Sequence, residues 1–93
     1  MKNKPVRRVG SFIERLRPKR RDVRVIVEVT YTNGSHGIHS TVWRHTLLSA
    51  QAVETKVRHW MFGTSGVVDI EGDTPVNINL YEVASSSVKA YEI

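Results

Sequence analysis

Residues 23–31 read VRVIVEVTY, and the apolar positions recur at every second residue. Val23, Val25, Val27, Val29 and Tyr31 point one way; Arg24, Ile26, Glu28 and Thr30 point the other. Successive side chains of an extended chain alternate between faces, so this pattern predicts a strand with one almost unbroken apolar side. Such a strand needs a second layer against its valines.

The next residues predict a hairpin. Asn33-Gly34 within TNGS suits the positive φ values of a type I′ turn. A two-residue loop there pairs Val29 with Ile38, Val25 with Val42, Glu28 with His39 and Arg24 with Trp43. The SHG that follows is able to lengthen the loop.

The segment SAQAVETKVRHWMFG predicts the main helix. Ser49 caps it, and Ala50, Val53, Val57, Trp60 and Met61 recur at helical spacing. Glu54 and Arg58 form an i,i+4 pair, Arg58 and His59 suit the C-terminal end of the dipole, and Gly63 suits the C′ position. Two strands follow in GVVDIEGDTPVNINLYEV, around a turn at Glu71–Pro75, with Val76, Ile78 and Leu80 on one face. VKAYEI, after Ala84–Ser87, predicts a last short edge strand. The fold class is therefore α+β: one small antiparallel sheet of four to five strands, in the order β-β-α-β-β, with one main helix packed on one face. Residues 23–93 form this single domain and residues 1–22 a basic N-terminal arm. At 93 residues the chain is near the lower end of what folds unaided.

Charge is segregated along the chain. Residues 1–24 hold ten Lys/Arg against Glu14 and Asp22, whereas residues 25–93 hold four against seven acids. A net charge of +8 on the first segment and −3 on the second is the pattern of a basic extension on a near-neutral domain. Within the arm, Ser11 and Glu14 form a capping box and Pro18 ends any helix at Arg17, so a short helix is expected near 12–17. Phe12, Ile13 and Leu16 share one of its faces. Such a turn is too short to be stable alone and needs a surface to dock on.

Several chemistries are disfavoured. There is no cysteine, hence no disulfide, thiolate nucleophile or thiolate zinc site. No nucleophile elbow, phosphate-binding glycine loop or paired-carboxylate arrangement is present, so the chain reads as a non-enzyme with no cofactor. His36 and His39 fall on opposite faces of a strand, and His45 and His59 sit on other elements, so no metal site is expected. Asp69, Glu71 and Asp73 lack the EF-hand spacing and read as a solvated hairpin end, or as a charge complement to the arm. The longest aliphatic run, Val25–Val27, is far too short to span a membrane. Glu14, Asp22 and scarce serine disfavour a transit peptide, leaving a cytoplasmic protein as the expectation.

The leading functional expectation is a non-catalytic accessory protein that binds nucleic acid, DNA or RNA, through its arm. Arg7, Arg8, Arg15, Arg17, Lys19, Arg20, Arg21 and Arg24 would neutralise phosphates, and releasing counterions would supply the affinity. Trp43 and Arg44 join as an auxiliary surface, since an uncovered sheet face would show Arg24 beside Trp43, with Ile26, Tyr81 and Val83 as additions. The plainer alternatives for that face are a cation–π pair, or cover by residues 11–17 or by a second subunit. The rival function is a protein-interaction module, an inhibitor, adaptor or assembly component, docking Phe12, Ile13 and Leu16 into a partner with an acidic rim. A membrane-surface anchor through the same face is a third reading. A domain of this size with an Arg-rich extension is common among ribosome-associated, phage and plasmid accessory proteins. A homodimer is compatible with the exposed strand edges.

Overall fold

The valine strand organises the molecule. In a computed structural model, which describes residues 19–63 and 66–93, β1 (Arg21–Tyr31) is the central strand of an antiparallel sheet in the order β2-β1-β5. Its neighbours are β2 (His36–Thr46) and β5 (Val83–Glu92). Between them in sequence come α1 (Ala50–Gly63), β3 (Val67–Ile70), β4 (Val76–Asn79) and a 3-10 turn at Leu80–Glu82. Residues 12–17, with their expected helix, lie outside the described residues. Because β1 starts at Arg21, Arg21 and Asp22 belong to the folded domain rather than to the arm.

The β1–β2 loop contains three residues, not two. Tyr31 N–H donates to Ser35 O at 2.8 Å, and Gly34 N–H returns to Tyr31 O at 2.9 Å. Gly34 adopts φ 88°, while Asn33 is not in the left-handed region that a type I′ turn requires. Asn33 Oδ1 instead accepts from Ser35 N at 3.0 Å and Ser35 Oγ at 2.6 Å, which holds the longer loop. The added residue moves the register by one: Val29 pairs with Gly37, Val25 with Thr41, Arg24 with Val42 and Val23 with Trp43. A one-residue slip sends every side chain of the partner strand to the other face. Trp43, Thr41 and His39 therefore lie on the valine side of the sheet.

Two further corrections concern the sheet. The expected short edge strand is the ten-residue β5, which pairs with β1 along nearly its whole length. Its serines gave no apolar alternation to read, yet Ser85, Ser86 and Ser87 pair with Thr30, Val29 and Glu28. In addition, β3 and β4 do not extend this sheet. They form a separate two-stranded hairpin in which Val68 pairs with Ile78 and Ile70 with Val76.

Both departures follow from covering the valine face. A helix is about 10 Å across and strands are about 4.8 Å apart, so one helix shields about two strands. Helix α1 lies over β5 and β1, and the β3–β4 hairpin lies beside it on the same face. The core joins Val23, Val25, Val27 and Val29 to Val53, Val57 and Met61 from α1, and to Val68, Ile70, Val76 and Ile78 from the hairpin. Ser49 caps α1 as its sequence predicts, accepting at Oγ from Ala52 N–H at 3.1 Å. Trp60 and Ala50 pack at the border of the core, with the Trp60 ring 6.0 Å from that of Trp43.

Side chains from the upper layer also close parts of the sheet's edges. On β5, Glu54 Oε1 accepts from Ala90 N–H at 3.0 Å, and Arg58 Nη2 donates to Val88 O at 3.3 Å. On β2, Asp73 uses both its backbone and its carboxylate: its N–H donates to Val42 O at 3.0 Å, and Oδ1 accepts from Val42 N–H at 3.1 Å. This contact needs the glycine before it. A Cβ on Gly72 would collide with Thr41 Oγ1 and lie 2.9 Å from Thr41 Cβ and Cγ2. Thr41 is 2% exposed and receives Thr74 N–H at 3.3 Å, so it has nowhere to retreat. Gly72→Ala should destabilise the fold by about 1–3 kcal/mol through overpacking. Because Thr41→Ala removes part of the clash, a urea-unfolding cycle should show the double variant costing less than the two single changes together. Strict additivity would rule out this contact as the cause.

Candidate functional site

The N-terminal end of β1 is where the basic segment meets the folded domain, and a β-bulge shapes it. Arg21 pairs with Thr46 and Val23 with Trp43, which leaves Arg44 and His45 together opposite Asp22. His45 is the bulged residue, with φ 53°. Asp22 Oδ1 accepts from His45 N–H at 2.9 Å, and Arg20 Nη1 donates to His45 O at 3.1 Å. The backbone of Asp22 takes part as well, accepting from Ile93 N–H at 3.0 Å.

Arg44 is committed to this network. Its Nη1 lies 3.3 Å from Asp22 Oδ2 and its Nη2 3.3 Å from Asp73 Oδ2. Two carboxylates thus neutralise an arginine that sequence reading offers to phosphate. The Asp73 carboxyl is held below its ordinary value of 3.8, first by the Val42 N–H and further by the Arg44 charge, against the opposing cost of desolvation. A carboxylate with a depressed folded-state pKa stabilises the fold above its unfolded value and loses that contribution as pH falls through the folded one. The unfolding midpoint should therefore drop more steeply below pH 3.8 in the native chain than in Asp73→Asn. Parallel acid profiles would refute the assignment.

The face of the sheet away from α1 and the hairpin carries Arg24, Ile26, Glu28 and Thr30 from β1, His36, Ile38, Ser40 and Val42 from β2, and Ser85, Ser87, Lys89 and Tyr91 from β5. Most of it is open, but Val42, at 3% exposure, is buried. Arg24 sits between Val42 and Tyr91, and its Nη1 donates to Ser40 Oγ at 3.2 Å. Lys89, opposite Ile26, is its diagonal neighbour. The expected Arg24–Trp43 pair does not form, because the longer loop places Trp43 against Trp60 on the opposite side. Tyr91, 46% exposed, supplies the aromatic beside Arg24 instead. Its alternation with Lys89 is legible in VKAYEI, but only the strand order brings it next to Arg24. Tyr81 stands in the 3-10 turn, and Val83 packs on the core, so neither joins this face.

The basic residues expected to act together separate into three groups. Arg7, Arg8, Arg15 and Arg17, with Phe12, Ile13 and Leu16, lie outside the described residues. Lys19 and Arg20 are exposed at the entry to β1, and Arg24 follows on the open face. Arg21 falls on the valine side, partly buried, with an Nε that has no hydrogen-bond partner. Lys19, Arg20, Arg24 and Lys89 make no ion pair among the described residues, whereas Arg44 and Arg58 do. The other titratable clusters are structural: His36 Nδ1 meets Thr30 Oγ1 at 3.2 Å, and His39 Nε2 meets the Tyr31 hydroxyl at 2.8 Å. Among the described residues no helix is long and apolar enough to cross a membrane. No family model, curated protein or solved structure matches the chain.

Proposed function

We propose that this protein binds the phosphate backbone of nucleic acid, without catalysis, through the basic residues of its N-terminal segment. Arg20, Arg24 and Lys89 form the rigid end of that surface. One observation carries the reading: ten of the chain's fourteen Lys/Arg fall within residues 1–24. At the junction, Asp22 and Asp73 are occupied by Arg44 and by backbone N–H groups, and Lys19, Arg20 and Arg24 make no ion pair among the described residues. A sequence dense in Lys and Arg, followed by Arg20, Arg24 and Lys89, which make no ion pair among the described residues, and by an exposed tyrosine, suits a polyanion carrying stackable bases.

The test is a titration of labelled duplex DNA, single-stranded DNA and an RNA hairpin over a salt series. It uses the full chain and a chain beginning at Lys19. Phosphate binding gives a steep negative dependence of log affinity on log salt that the shortened chain largely loses. Absence of binding at low salt would overturn the reading. The rival, docking of Phe12, Ile13 and Leu16 into a protein groove, rests on the apolar triad behind the Ser11–Glu14 capping box. Phe12→Ala with Leu16→Ala separates the two, since it spares phosphate binding and removes apolar docking.

A further inference from the structure

The sheet has two edges, and the chain closes them unequally. On β5, Glu54 and Arg58 occupy Ala90 N–H and Val88 O, and a register shift near Val83 distorts the start of the strand. On β2, Asp73 occupies both backbone groups of Val42, and the Arg44–His45 bulge ends the regular strand. Backbone direction alternates along a strand, so the outward orientation of Val42 makes Ser40, Ile38 and His36 outward as well. No described residue bonds these outward groups.

This stretch carries none of the devices that protect a free edge. Exposed edges are ordinarily blunted by lysine and other charges, by proline or by a bulge. From Asn33 to Trp43 the chain has no Lys, Arg, Asp, Glu or Pro, although a quarter of all its residues are charged. The side chain at the middle of the free stretch is Ile38, which is 73% exposed. An unprotected edge with an isoleucine at its centre is the form of a pairing surface.

We infer that residues His36–Ser40 pair antiparallel with the same residues of a second copy of this chain, about a two-fold axis at Ile38. The free stretch is symmetric about Ile38, as an isologous contact requires. Ile38 pairs with Ile38 of the second copy and His36 with its Ser40, which provides about six backbone hydrogen bonds. Asp73 at one end and the Gly34 turn at the other limit the pairing to this window. The lack of charge favours a like partner, since two identical segments meet here without repulsion. β1 begins at Arg21 in each copy, and the two-fold places those two ends in opposite directions. The product is one continuous sheet in the order β5-β1-β2-β2-β1-β5. Both open faces lie on the same side, each with its own Arg24, Tyr91 and Lys89. This assembly does not depend on the nucleic-acid reading, and its test uses no nucleic acid.

The experiment is sedimentation velocity of the full chain over a concentration series, with Ile38→Lys alongside. Within one chain, a lysine at position 38 faces Glu28 and is compatible with the β1–β2 ladder. Across the axis it faces another lysine. The native chain should sediment as a dimer, and Ile38→Lys should weaken dimerisation at least about tenfold at an unchanged circular dichroism spectrum. A second variant removes dependence on that one substitution. The native chain has no cysteine, and a hydrogen-bonded antiparallel pair places its Cα atoms about 5.5 Å apart, within disulfide reach. Ile38→Cys should therefore become a covalent dimer on mild oxidation, whereas Ser87→Cys on the outer strand should not. A monomeric native chain, a dimer indifferent to Ile38→Lys, or equal crosslinking at both cysteine positions would each overturn the proposal. So would a monomer that takes up an extended peptide along β2.

Discussion

A chain beginning at Lys19 is expected to lose most of its affinity for a phosphate backbone while keeping its folded domain. The deletion removes Lys2, Lys4, Arg7, Arg8, Arg15 and Arg17, with Glu14 as the only acid lost. Each phosphate neutralised on a duplex contributes about −0.9 to the slope of log affinity against log salt, so engaging all six cations would contribute roughly −5. The shortened chain retains Arg20, Arg24 and Lys89, and its slope should be shallow. The cut belongs before Lys19 and not after Asp22, because Asp22 binds His45 N–H, Arg44 and Ile93 N–H at the start of β1. Removing it would confuse lost binding with lost structure. A circular dichroism spectrum lacking only the contribution of the removed residues checks the fold. Equal slopes for the two chains would place binding elsewhere and refute a role for the arm.

The largest effect on stability is expected from the β3–β4 hairpin. Two strands of four residues are marginal by themselves, and this pair takes no ladder hydrogen bonds from the main sheet. What seats it is side-chain burial, with Ile70 at 1% and Ile78 at 2% exposure, together with the bonds that Asp73 and Thr74 make to β2. Ile78→Ala leaves a cavity between the hairpin, α1 and the valines of β1, at a cost of about 2–5 kcal/mol. That is a large part of the total stability of a domain this small. Asn77 is the internal control. It is exposed on the other side of the same strand and bonds Asp69 at 2.6 Å, so Asn77→Ala should cost only about 0.5 kcal/mol. Urea unfolding measures both changes, and hydrogen exchange should show β3 and β4 losing protection before β1. A cost for Ile78→Ala no greater than that for Asn77→Ala would mean that burial does not hold the hairpin.

The candidate surface was legible only in part. Its charge could be counted from the chain, and the place where the basic segment meets the domain follows from the end of the Val23–Tyr31 alternation. Its geometry could not be read so directly. Arg44 resembles any other exposed arginine until the bulge at His45 turns it between Asp22 and Asp73. A two-residue loop would put Trp43 on the open face, and the three-residue loop with left-handed Gly34 puts it on the other. Tyr91 carries no local signal of its site, because its neighbour, Arg24, lies at the other end of the chain.

The local elements were written in the sequence. A period of two specifies β1, a helical period with Ser49 before it specifies α1, and alternation around Glu71–Pro75 specifies the hairpin. Each depends on residues a few positions apart, so short stretches carry the whole signal. Register, strand order and the division into two sheets were decided by tertiary structure. One more residue in a turn exchanges the two faces of a strand, and serines with little strand preference become β5 because β1 offers an unpaired edge. The hairpin leaves the sheet because one helix cannot cover the whole valine face. These outcomes minimise exposed apolar surface and unpaired backbone over the entire chain, a sum that no local window contains.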